Sequence, residues 1–195
     1  MVKFIIAVLI AYFMGNISPS IIMAKARGID IKQEGSGNAG TTNALRVMGK
    51  KAGAITAIVD ILKGTVAVII GGIIGGNVVA SWCVLAVFCG HVWPAIYKFK
   101  GGKGVATAFG ALLGLNWLLA VVCLIIVAIV VFTSKRMSAG SIAGAIAFPI
   151  LAIFMERDFI LMGAIMAIII LYKHKDNIIR LARGEEPVIG IFNKE

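Results

Sequence analysis

Residues 105–132 read VATAFGALLGLNWLLAVVCLIIVAIVVF, a run of 28 residues without one charged side chain. About 20 apolar residues in a helix are enough to cross the hydrocarbon core of a bilayer. The run therefore predicts either one long tilted helix or two shorter helices that turn at residues 114–116, where Gly-Leu-Asn interrupts the apolar sequence. Both possibilities place the chain in a membrane.

The composition of the whole chain supports this interpretation. Hydrophobic residues make up 60% of its 195 residues and charged residues only 14%, against about 25% charged residues in soluble domains. These values exclude a soluble globular domain, a disordered chain, a disulfide scaffold and a nucleic-acid-binding domain. The three cysteines all lie inside apolar runs, with no spacing typical of a metal site.

Five further apolar runs cover residues 4–24, 52–74, 78–97, 141–154 and 159–172. The first is expected to be a retained helix rather than a signal peptide, because basic residues follow it at once and the rest of the chain is apolar. Asn16 and Ser18, just before Pro19, predict a kink in it. The last two runs have about 14 residues each and are short for a membrane span.

The distribution of Lys and Arg decides between six and seven membrane helices. With seven helices, 16 basic residues fall on one side and 2 on the other; with six, the split is 10 to 8. Basic residues concentrate on the cytoplasmic side, so the sequence predicts an all-α protein with seven transmembrane helices in one domain over residues 1–195. The N-terminus is expected outside, and every polar, glycine-rich segment faces the cytoplasm.

The first polar segment, residues 34–46, reads EGSGNAGTTNALR. Its glycines let backbone amides approach a ligand closely, and the fork of Arg46 is suited to phosphate. The alternative is a polar loop that only turns the chain, but a turn does not need so many hydroxyls, amides and glycines. We therefore expect substrate contacts from Ser36, Gly37, Asn38, Thr41 and Arg46.

The second polar segment, residues 90–107, reads GHVWPAIYKFKGGKGVAT. Three glycines around Lys103 form a cradle that opens into a helix, and a helix N-terminus attracts phosphate. The cradle lacks the Ser or Thr that follows the lysine of a P-loop. A lipid-headgroup anchor would explain Lys98 and Lys100 but not the glycines. The predicted phosphate-binding residues are Gly101, Gly102, Lys103 and Gly104.

Two further segments are polar. Residues 134–141 read SKRMSAGS, in which Ser138 could be a helix N-cap or a substrate contact, with Ser141 beside it. Residues 173–187 read KHKDNIIRLARGEEP, and helical spacing places His174 and Asn177 on one face. The alternative for this last segment, a basic tail on anionic lipid, does not account for Asn177.

Three titratable residues lie inside apolar runs. Asp60 and Lys63 are three residues apart and are expected to pair with each other or with a neighbour; a proton relay is the less favoured interpretation. His91 could serve either in helix packing or in catalysis.

The segments GSGNAGTTNALR, GHVWPAIYKFKGGKGVATAFG and HKDNIIRLARGEEPVIG, together with DILKG at Asp60, resemble the acyl-phosphate-dependent glycerol-3-phosphate acyltransferases of bacterial membranes. The resemblance covers nearly the whole chain. It implies seven membrane helices with the motifs on the cytoplasmic side of the plasma membrane. It also implies acyl transfer from acyl phosphate to the first hydroxyl of glycerol 3-phosphate, giving lysophosphatidic acid and phosphate.

The resemblance also implies roles for single residues. Two essential positions of the family are matched by Ser36 and Arg46, and its glycerol-phosphate loop by Gly101, Gly102 and Gly104. An active polar pair of the family is matched by His174 and Asn177. A structural glutamate of the family is matched by Glu186. Ala39 and Trp93 depart from the residues that the family often has, Pro and Phe, and neither touches the expected chemistry.

Other functions fit less well. No His-x4-Asp pair of the soluble acyltransferases is present, because Ile96 and Ile179 stand five residues after the two histidines. No carboxylate cluster typical of a Mg²⁺ site occurs, so we expect no metal, no cofactor and no obligatory protein partner beyond membrane lipids and the two substrates. The main alternative is a transporter of a small phosphorylated metabolite, which would need polar groups at mid-membrane and inverted repeats.

Overall fold

The computed structural model describes residues 1–189. That part of the chain is all-helical, with short 3-10 turns at Ala95–Tyr97 and Arg157–Phe159. Gly190, at the end of the last motif, and Lys194, counted above with the cytoplasmic tail, lie outside the described residues. The helices are α1 (Val2–Gly15), α2 (Pro19–Ala26), α3 (Thr41–Met48), α4 (Lys50–Val92), α5 (Val105–Leu115), α6 (Trp117–Ser134), α7 (Met137–Met155), α8 (Ile160–Lys173) and α9 (Lys175–Ala182).

The helices break where the sequence predicts. The first run divides between α1 and α2, because Asn16 turns its side-chain amide back to the Tyr12 carbonyl (2.7 Å) and Ser18 adopts an extended conformation before Pro19. The long α4 changes direction at Gly75 and at Gly76, whose φ of +73° favours glycine. Asn116, with φ −150° and ψ 99°, separates α5 from α6, which confirms that residues 105–132 form two helices.

Four helical stretches in the described part of the chain are long and apolar enough to cross a membrane, namely Val2–Ala26 (α1 with α2), Lys50–Tyr97 (α4 with the 3-10 turn after it), Trp117–Ser134 and Met137–Met155. The number of spans, seven, stays a prediction. The apolar run at residues 141–154 underestimates the length of its helix, because α7 begins at Met137 and has 19 residues. The preceding small and polar residues continue the helix because Gly140 packs closely against α6, with the Val127 carbonyl 2.9 Å from where its Cβ would be.

The chain divides into two compact units, and the first comprises Met1–Asn116. In it, α4 packs against both α1 and α5. Both contacts are made through glycines. A Cβ on Gly90 would collide with the Tyr12 carbonyl of α1, and a Cβ on Gly110 would collide with the Ile61 carbonyl of α4. Small residues at such positions let membrane helices approach closely.

The second unit begins at Trp117 and contains α6 to α9. Here α7 packs against both α6 and α8, and the short α9 contacts α7 and α8. The Phe148 and Phe159 rings, 6.1 Å apart between centroids, fill the space between α7 and the turn that leads into α8. That residues 1–195 act as a single domain stays a prediction.

Candidate active site

The first polar segment forms an irregular loop that one buried side chain fixes. Asn43, in the first turn of α3 and 1% exposed, accepts a hydrogen bond from the Ser36 amide at 2.9 Å. Its own amide donates to the carbonyls of Glu34 (3.0 Å) and Ile31 (3.3 Å). The Ser36 amide and two carbonyls that precede it are therefore held in place, while the Ser36 residue itself stays exposed.

Two glycines and an apolar base complete this loop. Gly35 and Gly37 have φ values of +60° and +67°, which other residues rarely adopt. The loop rests on a cluster of buried side chains that includes Ile31 and Ala39, and the Ser20 hydroxyl of α2 donates to the Ala39 carbonyl at 3.0 Å. This arrangement leaves the polar side of the loop available to a ligand.

The other predicted residues of this segment differ in exposure. Arg46 is exposed on α3, Asn38 is half-buried and Thr42 is exposed. The hydroxyl oxygen of Thr41 is buried and has no hydrogen-bond partner among the described residues. A buried polar group without a partner is costly, so Thr41 has capacity for one more hydrogen bond.

The glycine cradle packs tightly against the end of α4. The amides of Gly101 and Gly102 donate to the carbonyls of Val92 and His91, each at 3.2 Å. A Cβ on Gly101 would collide with the His91 carbonyl, and a Cβ on Gly102 with the His91 ring. Glycine is needed at both positions because the backbone approaches His91 closely; substrate binding by Gly101 and Gly102 stays a prediction.

Gly104 and Lys103 end the cradle at a helix N-terminus, as predicted. Gly104 is the N-cap of α5, with φ +83°, and a Cβ there would collide with the Phe88 ring. The amides of the first turn of α5 carry partial positive charge, and Lys103 precedes them directly. Thr107 in the same turn is fully buried, and its hydroxyl has no hydrogen-bond partner among residues 1–189. Together these groups are suited to an anion.

The two polar loops of the first unit adjoin each other. A Cβ on Gly102 would lie 3.1 Å from the Ala39 carbonyl, and the Lys32 ammonium donates to the Lys100 carbonyl. Partial burial, together with repulsion from the Lys100 ammonium, lowers the pKa of Lys32 from its ordinary value. The structure thus brings the first motif and the glycine cradle together, with basic side chains around them.

Three titratable residues lie directly behind the cradle. Lys63 Nζ is 2.8 Å from Asp60 Oδ1 and 2.9 Å from His91 Nδ1, and all three residues are at most 5% exposed. The predicted pairing of Asp60 with Lys63 is confirmed. His91 is part of the same cluster, and its spacing in the sequence did not predict that contact.

In the second unit, Glu186 gathers the polar residues of the last motif. Its carboxylate accepts hydrogen bonds from Asn177 (2.6 Å) and Arg180 (2.7 Å), both on α9. Its carbonyl accepts a bond from Arg136 Nε at 2.9 Å. Glu186 therefore ties the segment after α9 to α9 through its carboxylate and to Arg136, at the start of α7, through its backbone carbonyl. That Glu186 is a structural residue stays a prediction.

His174 is buried at the junction of α8 and α9, with 3% of its surface exposed. Its Nδ1 lies 2.8 Å from the Ile170 carbonyl oxygen. Because a carbonyl oxygen only accepts, Nδ1 carries a proton, and in the neutral ring Nε2 is then the basic nitrogen. Asn177 lies one turn later on α9 and is 8% exposed.

The structure corrects the interpretation of Ser138 as a helix N-cap. The N-cap of α7 is Arg136, and Ser138 is the second residue of the helix, buried beside the Glu186 carboxyl. Ser141 is also buried, and its hydroxyl donates to the Met137 carbonyl of the same helix at 2.9 Å. Substrate contact by either serine stays a prediction.

Replacement of Glu186 by glutamine should reduce stability most above the ordinary carboxyl pKa of about 4.3, and by progressively less as the pH falls from there through the lowered pKa of this carboxyl. Burial alone would raise the pKa of the Glu186 carboxyl, but the donors from Asn177 and Arg180 outweigh burial and lower that pKa. Because the folded pKa is lowered, the stabilisation is complete above the ordinary carboxyl pKa and is lost as the pH falls through the lowered value. Melting temperatures of both proteins across pH 3–7 in detergent test this, and parallel curves would contradict it.

Three contributors to the site were missed from sequence. Asn43 belongs to the first polar segment, but no role was predicted for it, although it fixes the Ser36 backbone. Lys32 and Arg136 were counted only as basic charges, whereas both donate to backbone carbonyls. An Asn at the start of a helix that follows a glycine-rich loop is a usable signal for the first, since short amides often bond to nearby backbone. No local sequence pattern predicts the bonds that Lys32 and Arg136 make.

No group of three or more His, Cys, Asp or Glu residues that could hold a metal ion occurs within residues 1–189. The candidate site is instead built from cations, hydroxyls and backbone amides. Such groups bind and stabilise anionic oxygen atoms.

Comparison with known proteins agrees with this chemistry. The sequence model of the family described as "Glycerol-3-phosphate acyltransferase" matches residues 5–184. The chain is 43% identical to the glycerol-3-phosphate acyltransferase of Clostridioides difficile (strain 630), with 96% of both chains covered. It is 42% identical to the enzyme of that name from Thermoanaerobacter sp. (strain X514), over 95% of this chain and 96% of the relative.

Two solved structures share the fold. A crystal structure of PlsY, an integral membrane glycerol 3-phosphate acyltransferase, in its glycerol 3-phosphate form superposes with a TM-score of 0.92. That protein is 31% identical, with 97% of this chain and 99% of the other covered. The lysophosphatidic acid form of the same enzyme gives a TM-score of 0.88 and 31% identity, over 96% and 95% of the two chains.

Proposed function

Because the chain belongs to the glycerol-3-phosphate acyltransferase family of integral membrane enzymes, we propose that it transfers a fatty acyl group from acyl phosphate to the sn-1 hydroxyl of glycerol 3-phosphate. The products are lysophosphatidic acid and inorganic phosphate. The transporter alternative is set aside, since the family is one of enzymes.

The observation that carries the proposal is the junction of two polar loops in the first unit. The exposed Ser36 and Arg46 belong to one loop and its helix, and Lys103 with the α5 N-terminus belongs to the other. Both substrates are phosphate esters or anhydrides, and the reaction therefore needs two sets of anion-binding groups. Arg46 supplies a bidentate fork, whereas Lys103 supplies a point charge beside helix amides.

In the proposed reaction, the sn-1 hydroxyl oxygen attacks the carbonyl carbon of acyl phosphate. The bond between that carbon and the phosphate oxygen breaks, and the electron pair leaves with the phosphate. The hydroxyl proton passes to His174 or to the departing phosphate. Acyl phosphate has a good leaving group, so catalysis consists mainly of positioning and charge stabilisation.

We assign Arg46 to the phosphate of the acyl donor, and Ser36 with Asn38 to the orientation of its carbonyl and leaving group. Lys103 and the cradle bind glycerol 3-phosphate. Direct transfer is preferred to an acyl-enzyme on Ser36, because no His or acid side chain makes a hydrogen bond with the Ser36 side chain among the contacts of its loop. Gly37 and Thr41 support the same loop as substrate-binding residues.

The purified protein should convert acyl phosphate and glycerol 3-phosphate to lysophosphatidic acid, with the rate unchanged by EDTA. Acyl-CoA should support less than about 1% of that rate, because its thioester lacks the phosphate that Arg46 binds. Mass-spectrometric measurement of lysophosphatidic acid in detergent tests both points. Chelator-sensitive activity restored by Mg²⁺, or efficient turnover of acyl-CoA, would contradict the proposed donor chemistry.

We further propose that the active side faces the cytoplasm and that the N-terminus lies outside. Single cysteines at Ser36, Lys103, Lys135 and Lys175, each in a cysteine-free background, should resist a membrane-impermeant maleimide in intact cells and react after permeabilisation. A cysteine at Lys3 should react in intact cells. Labelling of any of the four positions from outside would overturn the 16-to-2 charge argument.

A further inference from the structure

Lys63 makes more contacts than an ion pair requires. Its ammonium lies 2.8 Å from Asp60 Oδ1 and 2.9 Å from His91 Nδ1. It also donates to the carbonyls of Gly15 (3.0 Å) and Ile17 (2.5 Å). A buried lysine is costly unless paired and hydrogen-bonded, and one carboxylate would satisfy its charge. The other contacts connect it to two further parts of the first unit, the α1–α2 break and the end of α4.

One set of contacts leads to the loop that carries Ser36. Gly15 and Ile17 flank the break between α1 and α2, where backbone carbonyls have lost helical partners. Lys63 supplies donors to these carbonyls and so fixes the point from which α2 extends. The Ser20 hydroxyl of α2 in turn donates to the Ala39 carbonyl of the first loop at 3.0 Å.

A second set of contacts leads to the glycine cradle. Lys63 contacts His91 Nδ1, and the opposite edge of the same ring is so close to Gly102 that no Cβ fits between them. The Gly102 amide donates to the His91 carbonyl at 3.2 Å. The contacts that lead to the Ser36 loop and those that lead to the cradle converge where Gly102 lies close to the Ala39 carbonyl.

We infer that Lys63 is a positioning residue for glycerol 3-phosphate: through His91 and through the α1–α2 break, it holds the glycine cradle and the Ser36 loop against each other. Lys63 is buried and bonded to groups of the chain, so it acts through its neighbours and does not contact the substrate. The inference rests on the proposed glycerol 3-phosphate site at residues 101–104.

The competing explanation is an ion pair that only stabilises the fold. If so, removing both charges together should restore both stability and function, because buried pairs can often be replaced by uncharged residues of similar size without loss. A positioning role predicts otherwise, since the carbonyls of Gly15 and Ile17 still lose their common donor and the His91 ring still loses its contact with Lys63.

The test compares Lys63→Met with the double variant Asp60→Asn/Lys63→Met. We expect both to raise KM for glycerol 3-phosphate by about tenfold or more, with kcat changed less than about threefold. The double variant should recover most of the melting temperature lost in Lys63→Met, but not the KM. Thr56→Val is the matched control, because Thr56 is fully buried in α4 and its hydroxyl donates to the Ala52 carbonyl of the same helix; its KM should stay unchanged.

A double-mutant cycle examines the route through His91. His91→Asn keeps a polar group near the position of Nδ1 but withdraws the ring from Gly102. If both residues act on the same cradle, the KM effects of Lys63→Met and His91→Asn should be clearly less than multiplicative when combined. Multiplicative effects, or a normal KM in the double charge-removal variant, would overturn the inference. If His91 were instead the catalytic base, His91→Asn would chiefly lower kcat and alter its pH profile.

Calorimetric titration of glycerol 3-phosphate, without any acyl donor, separates this inference from the proposed function. Weaker binding to Lys63→Met than to the unmodified protein supports the positioning role whatever the acyl donor is. Equal binding to both proteins overturns the positioning role and leaves the proposed reaction intact. A wild-type protein that turns over no acyl phosphate overturns only the proposed donor.

Discussion

Arg46→Lys should lose nearly as much turnover as Arg46→Ala, with kcat reduced about 100-fold or more in each and KM for glycerol 3-phosphate changed little. The reason is that a guanidinium presents two parallel donors to a phosphate, whereas an ammonium is a single compact charge. Ser36→Ala should fall in the same range, because the Ser36 hydroxyl is assigned to the reacting acyl phosphate. Steady-state kinetics with both substrates varied measures these effects.

Two exposed residues nearby serve as controls. Lys51→Ala removes a basic charge from the first turn of α4, and Thr42→Ala removes an exposed hydroxyl from the segment that contains Ser36. Both should keep kcat within about twofold of the unmodified enzyme. Full activity in Ser36→Ala would show that the Ser36 hydroxyl does not orient the acyl phosphate, and it would exclude the acyl-enzyme alternative as well. Rescue by Arg46→Lys would show that charge alone matters at this position.

Gly104→Ala should chiefly raise KM for glycerol 3-phosphate, by about 10- to 100-fold. Gly104 has φ +83°, and its added Cβ would collide with the Phe88 ring, so the cradle must shift and carry Lys103 with it. Gly49→Ala is the matched control, because Gly49 has φ +86° but no atom within 4 Å of an added Cβ. That variant incurs the same backbone strain, about 1–2 kcal/mol, and should lose stability without losing affinity.

The substrate whose KM changes identifies the ligand of the cradle. If Gly104→Ala left KM for glycerol 3-phosphate unchanged and raised that for acyl phosphate, the two phosphate sites would be assigned the wrong way round. If Gly49→Ala changed KM as much as Gly104→Ala, backbone strain rather than crowding beside Lys103 would explain the change in KM. The assignment of glycerol 3-phosphate to the cradle would then be unsupported. Melting temperatures of both variants show whether each remains folded.

Much of the fold is readable from the sequence because its signals are local. Apolar runs specify helices in a bilayer, and Asn16 to Pro19, Gly75–Gly76 and Asn116 interrupt them with residues that break a helix. The start of α7, at Met137, differs from the prediction because local signals there point to a helix end. Ser138 and Gly140 are typical of helix ends, but close packing of Gly140 against α6 makes helix the better conformation there.

For the candidate site, too, some features follow from local sequence and others from packing between distant segments. The residues predicted to bind phosphate can be named from the sequence, because charge, hydrogen-bonding groups and glycine content are properties of single residues. Three other features depend on the tertiary structure: Gly101 and Gly102 pack on His91, Asn43 fixes Ser36, and Lys63 bonds to groups 28 and 48 residues away. Such contacts depend on how closely helices approach, and that distance is set by packing between segments far apart in the chain.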